Sequence, residues 1–180
     1  MWTYMVNCKP IVIVMSPPCQ GMAGWATFNR IMNPETHEAS RRVSEPLGHL
    51  CGEVAKFQLE NGRHYLVEQP AGSDLYQSPV WLHVRGHPDT AEAIIHQCQA
   101  GLRCPRTGLP VRKSSHFIAS CEALIYPLRK LRCSGTQACT KHQHIDGSIS
   151  KKMQIWPWAM ETRCIDCSRS GMCGTTQLET

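Results

Sequence analysis

The sequence predicts an α/β fold in which parallel strands alternate with helices, and three stretches near its start support this. Residues 10–15 contain an apolar, largely β-branched run without polar alternation, which is typical of a strand buried in a parallel sheet. Apolar residues then recur every three or four positions over residues 39–57, as on one face of a helix. A second apolar run over residues 64–67 completes a strand–helix–strand unit.

Pro17 and Pro18 end the first predicted strand, because proline offers no N–H to a sheet and has a fixed φ. Residues 16–24 are therefore predicted to form a stiff loop that carries Cys19 just beyond the carboxyl end of the strand. Open α/β sheets bind their ligands at this edge, so the Cys19 thiol is a candidate nucleophile. The alternative interpretation is a buried structural cysteine in a turn.

The predicted helix has clear start and stop signals. Asn33 is the expected N-cap, Pro34 occupies the first turn, and Asn61-Gly62 ends the helix. Pro46 lies inside the apolar pattern and is expected to kink the helix or divide it in two. The predicted buried face consists of Ala39, Val43, Leu47, Leu50, Val54 and Phe57.

Glu68-Gln69-Pro70 follows the second predicted strand and is expected to form a loop, as residues 16–24 do after the first. A right-handed crossover makes the two strands parallel and close, with both loops at the same sheet edge. We therefore predict that Cys19 and Glu68 lie near one another.

The remaining chain alternates between further elements and polar connections. We predict a short helix over 74–84, strands over 93–97 and 116–119, and a helix over 122–132 that is kinked at Pro127. A basic, turn-rich connection spans 101–113, an irregular Cys/His-rich segment spans 133–154, and Pro157 starts a last helix to about residue 166. One domain is predicted over 1–166, followed by a frayed or disordered tail over 167–180.

Composition and charge limit the class of protein. With 180 residues, 42% apolar and 18% charged, the chain matches one ordinary globular domain. The formal charge of +5 favours an anionic partner, above all nucleic acid. No apolar run reaches the roughly 20 residues that span a bilayer, and no secretory signal is expected at the start. Eleven cysteines then predict free thiols, a metal site or a catalytic thiol, and an intracellular location; the oligomeric state stays open.

Four metal-binding side chains lie close together in the irregular segment: Cys133, Cys139, His142 and His144. Two thiols and two imidazoles are ligands that could satisfy tetrahedral zinc. Their spacing is not one of the usual paired spacings. A thiol-rich loop with two solvated histidines is therefore the alternative interpretation.

Two motifs resemble the cytosine-C5 DNA methyltransferases, especially members carried by phages and retroelements. Pro17-Pro18-Cys19-Gln20-Gly21 resembles the Pro-Cys-Gln loop of that family, and Leu66-Val67-Glu68-Gln69-Pro70 resembles its Glu-Asn-Val or Glu-Asn-Pro loop. Looser similarities follow in the family's order, over residues 97–102, 110–114, 118–120 and 155–160.

The resemblance implies a Rossmann-like, S-adenosylmethionine-dependent methyltransferase sheet that transfers a methyl group to cytosine in DNA. In that family the cysteine of the first loop is the nucleophile and the glutamate of the second contacts the cytosine ring. These positions correspond to Cys19 and Glu68. The candidate substrate-binding residues are Pro18, Gln20, Arg112 and Lys113. DNA would be the partner, and a eukaryotic member would be nuclear.

The sequence also departs from the family. The Phe-X-Gly-X-Gly turn that holds the cofactor has no counterpart, so the N-terminal cofactor-binding strands are expected to be missing and the cofactor-binding residues are unknown. We expect cytosine-C5 methyl transfer from S-adenosylmethionine through a covalent cysteine adduct, impaired or lost in this truncated chain. The alternative is a catalytically inactive, nucleic-acid-binding remnant of a mobile-element protein, with zinc in the Cys/His-rich segment.

Overall fold

The computed structural model describes residues 2–24, 26–135, 139–145 and 157. The helices in these residues are α1 (Trp2–Cys8), α2 (Ala26–Met32), α3 (Pro34–Glu60), α4 (Pro79–Arg85) and α5 (Glu122–Arg129). The strands are β1 (Val12–Met15), β2 (His64–Pro70), β3 (Ala91–His96) and β4 (Ser114–Ala119). Short 3₁₀ helices cover Asp74–Gln77 and Gln97–Ala100. The last helix predicted from Pro157 and the tail over 167–180 lie outside the described residues.

The four strands form one sheet in the order β1-β2-β4-β3. β1 and β2 are parallel neighbours, with Val12 opposite His64 and Met15 opposite Val67. Helices α2 and α3 lie between them in the chain, and α3 is the predicted helix, so the predicted strand–helix–strand unit is confirmed and the fold is α/β. Helices α1 and α2 were not predicted, and none of the described helices combines the length and apolar character that crossing a membrane requires.

The end of β2 differs from the prediction. Glu68, Gln69 and Pro70 continue the strand, so the predicted loop is wrong. Glu68 and Gln69 are only 3% and 1% exposed, although their polarity suggested a solvated loop. Their side chains form hydrogen bonds with residues 16 and 17, and these bonds hold the chain extended beside the first loop.

Helix α3 begins and ends where the sequence predicts, but Pro46 does not divide it. The helix is continuous over 27 residues, with Asn33 as N-cap and Asn61 as C-cap. Pro46 lies on the exposed side, where water can satisfy the backbone carbonyl that loses its partner to the proline ring.

The buried face of α3 also differs from the predicted one. Val43 and Leu47 are 63% and 43% exposed, whereas Ser44, Gly48 and Gly52 are buried. The small residues allow close packing: the Trp81 indole N–H of α4 donates to the Gly48 carbonyl at 3.1 Å. A Cβ at Gly52 would lie 2.6 Å from Val80 Cγ1, so only glycine fits there. The apolar periodicity missed this face because it gives glycine no weight.

The chain divides into two compact units. The first unit comprises Met1–Glu92 and His116–Glu122, and the second comprises the described residues of Ala93–Ser115 and Ala123–Thr180. The largest fully buried side chains of the first unit are Trp81, Tyr65, Tyr76 and Phe117 among the described residues. The buried clusters among the described residues of the second unit include Leu102, Cys104 and Val111 with Ile145, and Cys98 with Cys133 and Cys139.

Candidate functional site

Cys19 lies in a tight turn that follows β1. The backbone N–H of Met22 donates to the Cys19 carbonyl at 3.0 Å, and Gly21 has a φ of +80°. Turns of this kind require a positive φ at their third residue, which glycine adopts without strain. A Cβ at Gly21 would also lie 2.9 Å from Arg41 Cγ of α3. The glycine therefore allows the turn to pack against α3, with Cys19 half-exposed.

Both ends of this turn are fixed to the segment around the end of β2. On one side, the Gln69 amide donates to the Pro17 carbonyl at 2.6 Å, and Ser73 Oγ donates to Gln69 Oε1 at 3.1 Å. On the other side, Met22 is buried in the core and its carbonyl accepts the backbone N–H of Asp74 at 2.7 Å. The Cys19 loop is thus held in one position.

Glu68 is buried directly beside this loop. Ser16 Oγ donates to Glu68 Oε2 at 3.0 Å, so the carboxyl group contacts the residue that directly follows β1. Burial raises the pKa of Tyr76 well above its usual value, and the negative charge of Glu68 adds to this effect. The neighbouring phenol therefore stays protonated, and its hydroxyl donates to the His116 carbonyl at 3.2 Å.

The other predicted substrate-binding residues fall into both units. Pro18 and Gln20 flank Cys19 and are exposed. Arg112 and Lys113 belong to the second unit, in the stretch before β4. Arg112 is exposed, whereas Lys113 is half-buried and its carbonyl accepts the backbone N–H of Gln97 at 2.9 Å.

A cavity of about 740 Å³ lies in the first unit between α3 and residues 74–79. Its walls carry charges of both signs, and Arg41 forms an ion pair with Glu45 at 3.1 Å. Met22 is the one residue of the Cys19 loop among its lining residues. The cavity is therefore a neighbour of the loop and contains neither Cys19 nor Glu68 in its lining.

The described residues do not fit S-adenosylmethionine. Nucleotide-like cofactors of α/β sheets bind where a strand leads through a glycine-rich turn into a helix. β1 leads instead into Ser16-Pro17-Pro18, and β2, which ends at Pro70, leads into residues 71–73, where Ser73 Oγ bonds to Gln69. No step below is therefore derived through that cofactor.

A second group of reactive side chains lies in the second unit. Cys98, Cys133, Cys139 and His142 place their ligand atoms within 4.8 Å of one another and could hold a metal ion. His144, which the sequence pattern included, is exposed and is not in this group; Cys98 takes its place. The spacing pattern from Cys133 to His144 includes only residues that are close in sequence, so it could not indicate Cys98. The position of Cys98, directly after the predicted strand over 93–97, was the available signal.

Hydrogen bonds tune the thiols of this group. Burial of the Cys98 thiol raises its pKa to about 12, and the contacts of Cys98 with Cys133 and Cys139 add to this effect. Burial acts in the same direction on Cys133, but the backbone of Gly135 and the neighbouring thiols outweigh it and lower the pKa of Cys133. Cys133 therefore ionises before Cys98. These cysteines and Cys19 form no disulfide, whereas Cys121 is disulfide-bonded.

No protein-family model, curated protein or solved structure matches the chain. The arguments that follow therefore depend on the two groups of residues themselves: the Cys19 loop with Glu68, and the four metal-binding side chains.

Proposed function

We propose that the first unit activates cytosine in DNA for methyl transfer at C5, with Cys19 as the nucleophile and Glu68 as the acid. One observation carries this proposal: the loop that presents Cys19 is bonded to the strand that carries the buried Glu68, through Ser16 and Gln69. A half-exposed thiol beside a buried carboxyl group, at the carboxyl end of parallel strands, supplies the pair of groups that this chemistry needs.

The chemistry follows from the electron demand of the cytosine ring. C5 is not nucleophilic until a nucleophile adds at C6. The Cys19 thiolate forms a bond to C6, the electrons of the C5–C6 double bond move through C4 to N3, and Glu68, protonated in the complex with the base, donates its proton to N3. C5 then attacks an electrophile. Loss of the C5 proton to water expels the thiolate while N3 returns its proton to Glu68, which restores the ring and frees Cys19. The base has to leave the duplex for this, because C6 is stacked inside it.

The role proposed for the described residues is the activation of cytosine, which needs only Cys19, Glu68 and the bound base. The net charge of +5 supports a polyanionic substrate.

A covalent trap tests this proposal. Single-stranded DNA that carries a pyrimidin-2-one base, which lacks the 4-amino group and is more electrophilic at C6, is incubated with the whole protein. Single-stranded DNA removes the cost of base flipping. We expect a complex that survives denaturing electrophoresis and maps by mass spectrometry to Cys19.

Matched variants separate this site from adventitious thiol chemistry. Cys19→Ser is expected to abolish the complex, and Glu68→Gln to slow its formation by roughly 100-fold or more, since general acids contribute about that much. Cys8→Ser removes an exposed free thiol and should leave trapping unchanged. A complex that forms equally with Cys19→Ser would refute the proposal.

A second candidate function is nucleic-acid binding without catalysis by a zinc-containing protein. The group of four metal-binding residues favours it, together with the net positive charge. Affinity for DNA should then fall steeply with salt concentration, because phosphate contacts release counterions. Zinc-dependent binding that is identical in the wild-type protein and Cys19→Ser, without trapping, would favour this function over the first.

A further inference from the structure

We propose that Cys98, Cys133, Cys139 and His142 bind one Zn²⁺ in a tetrahedral, structural site that holds the second unit together. This inference is independent of the proposed function, because all four residues lie outside the first unit. The site joins three places in the chain: the 3₁₀ helix after β3, the stretch after α5, and residues 139–142.

The first argument is geometric. Zinc–ligand bonds of about 2.3 Å to sulfur and 2.0–2.1 Å to nitrogen place tetrahedral ligands about 3.5–3.8 Å from one another. Cys133 Sγ lies 3.5 Å from His142 Nε2, which matches a sulfur–nitrogen edge of such a tetrahedron. All four ligand atoms lie within 4.8 Å of one another, so small side-chain adjustments complete the site.

The second argument is the composition of the cluster. Cys98, Cys133 and Cys139 are 4%, 6% and 5% exposed, and among the described residues they form a buried cluster without any aliphatic or aromatic member. Three thiols bury little apolar surface, so packing alone gives them little reason to converge. Three thiolates and an imidazole around Zn²⁺ give a well-attested structural centre.

The third argument is the surrounding shell, which suits coordinated thiolates. The Gln99 side-chain amide donates to Cys139 Sγ at 3.2 Å. The backbone N–H of Cys133 donates to His96 Nδ1 at 2.9 Å, which fixes the chain at this ligand. Such outer contacts orient ligands and increase metal affinity. Binding converts the three thiols to thiolates and releases their protons, which leaves a charge of −1 at the centre beside the positive Arg112.

Metal binding by the whole, reduced protein tests the site. We expect one equivalent of zinc by elemental analysis. Substituted Co²⁺ should show the intense visible absorption of a tetrahedral centre and thiolate charge-transfer bands. Cys98→Ser and His142→Ala are each expected to lower zinc affinity by more than about 100-fold, since loss of an outer-shell partner alone costs about 10–100-fold. Gln99→Ala should lower it by about 10-fold.

Control variants make the result decisive. His144→Ala and Cys104→Ser should retain one equivalent, because neither residue is in the group of four. His142→Cys should keep zinc bound and strengthen the charge-transfer bands of Co²⁺, a gain that misfolding would not produce. The proposal is overturned if the reduced wild-type protein binds no zinc, if Cys98→Ser retains it, or if His144→Ala loses it as His142→Ala does.

Discussion

At the scale of single residues, Gln69 fixes the position of the Cys19 loop. Its amide N–H bonds to the Pro17 carbonyl and its carbonyl oxygen accepts from Ser73, and it is 1% exposed. The family resemblance suggested asparagine here, and glutamine fills the position with a longer side chain that reaches the opposite loop. Gln69 is thus a positioning residue that acts on Cys19 through the backbone of Pro17.

Gln69→Ala is expected to lower the free energy of unfolding by about 1–3 kcal/mol, because it leaves the Pro17 carbonyl without its partner. Urea unfolding measures this. Gln77→Ala, which removes an exposed amide from the same unit, should change the free energy by less than about 0.5 kcal/mol. Trapping of the pyrimidin-2-one base should also slow by roughly 10- to 100-fold in Gln69→Ala. Unchanged stability and trapping would contradict this role.

Gly21 is required for two reasons, its backbone conformation and its contact with Arg41. Gly62 has a similar φ of +62°, but a Cβ there would have no heavy atom of the described residues within 4 Å, which makes it the matched control. Gly62→Ala should cost only the left-handed conformation, roughly 1–2 kcal/mol. Gly21→Ala should cost about 1–3 kcal/mol more, because its Cβ would meet Arg41. Equal losses in the two variants, measured by urea unfolding, would show that the Arg41 contact is unimportant.

At the scale of elements, α3 packs through small residues rather than through its apolar stripe. Alanine normally stabilises a helix relative to glycine by about 1 kcal/mol. Gly48→Ala should do the opposite and destabilise by about 1–3 kcal/mol, because its Cβ would overlap the Leu75 side chain. Val43→Ala, on the exposed side of the same helix, should stay within about 0.5 kcal/mol of the wild type. A stabilised Gly48→Ala protein in thermal or urea unfolding would show that the packing is looser than described.

Local patterns predicted much of the architecture of the first unit. The apolar run before Pro17, the cap at Asn33 and the stop at Asn61-Gly62 are encoded in neighbouring residues, and the parallel pairing of β1 and β2 follows from the crossover rule. The buried face of α3 was missed because it depends on the distant Trp81 and Leu75. Glu68 and Gln69 looked like loop residues because their burial depends on hydrogen bonds to residues 16 and 17.

The sequence predicted the two candidate sites to different extents, because one is formed by paired neighbouring strands and the other by contacts between distant parts of the chain. Cys19 follows β1 and Glu68 lies near the end of β2, so the pairing of the strands brings their neighbourhoods together. Cys98 joins Cys133, Cys139 and His142 only through the tertiary fold of the second unit. Sequence spacing describes ligands within one segment, and it substituted the exposed His144 for Cys98.

At the scale of the whole molecule, two half-buried histidines make the first unit sensitive to acid. Burial lowers the pKa of His64 below 6.5. Burial also lowers the pKa of His116, and this effect outweighs the opposing influence of Glu92. The unfolded chain therefore binds more protons than the folded chain as the pH falls below about 6.5, and the free energy of unfolding decreases in that range.

Stability measurements across this range test the effect. The free energy of unfolding should fall between about pH 7 and about pH 5, and the fall should be smaller in the variant that carries both His64→Gln and His116→Gln. Imidazole proton shifts in NMR should give both histidines pKa values below 6.5 in the folded protein. A pKa above 6.5 for either histidine would reverse the predicted sign of its contribution.

The central claim is that Cys19 and Glu68 together activate cytosine, and exchange of the C5 hydrogen measures this without a methyl donor. Addition of Cys19 at C6 allows C5 to take a deuteron from heavy water, and elimination then returns cytosine that has lost its original hydrogen. We predict deuterium at C5 of cytosine in single-stranded DNA incubated with the wild-type protein, much less with Glu68→Gln, and none above background with Cys19→Ser. Exchange that is absent with the wild-type protein, or equal with Cys19→Ser, would contradict the account.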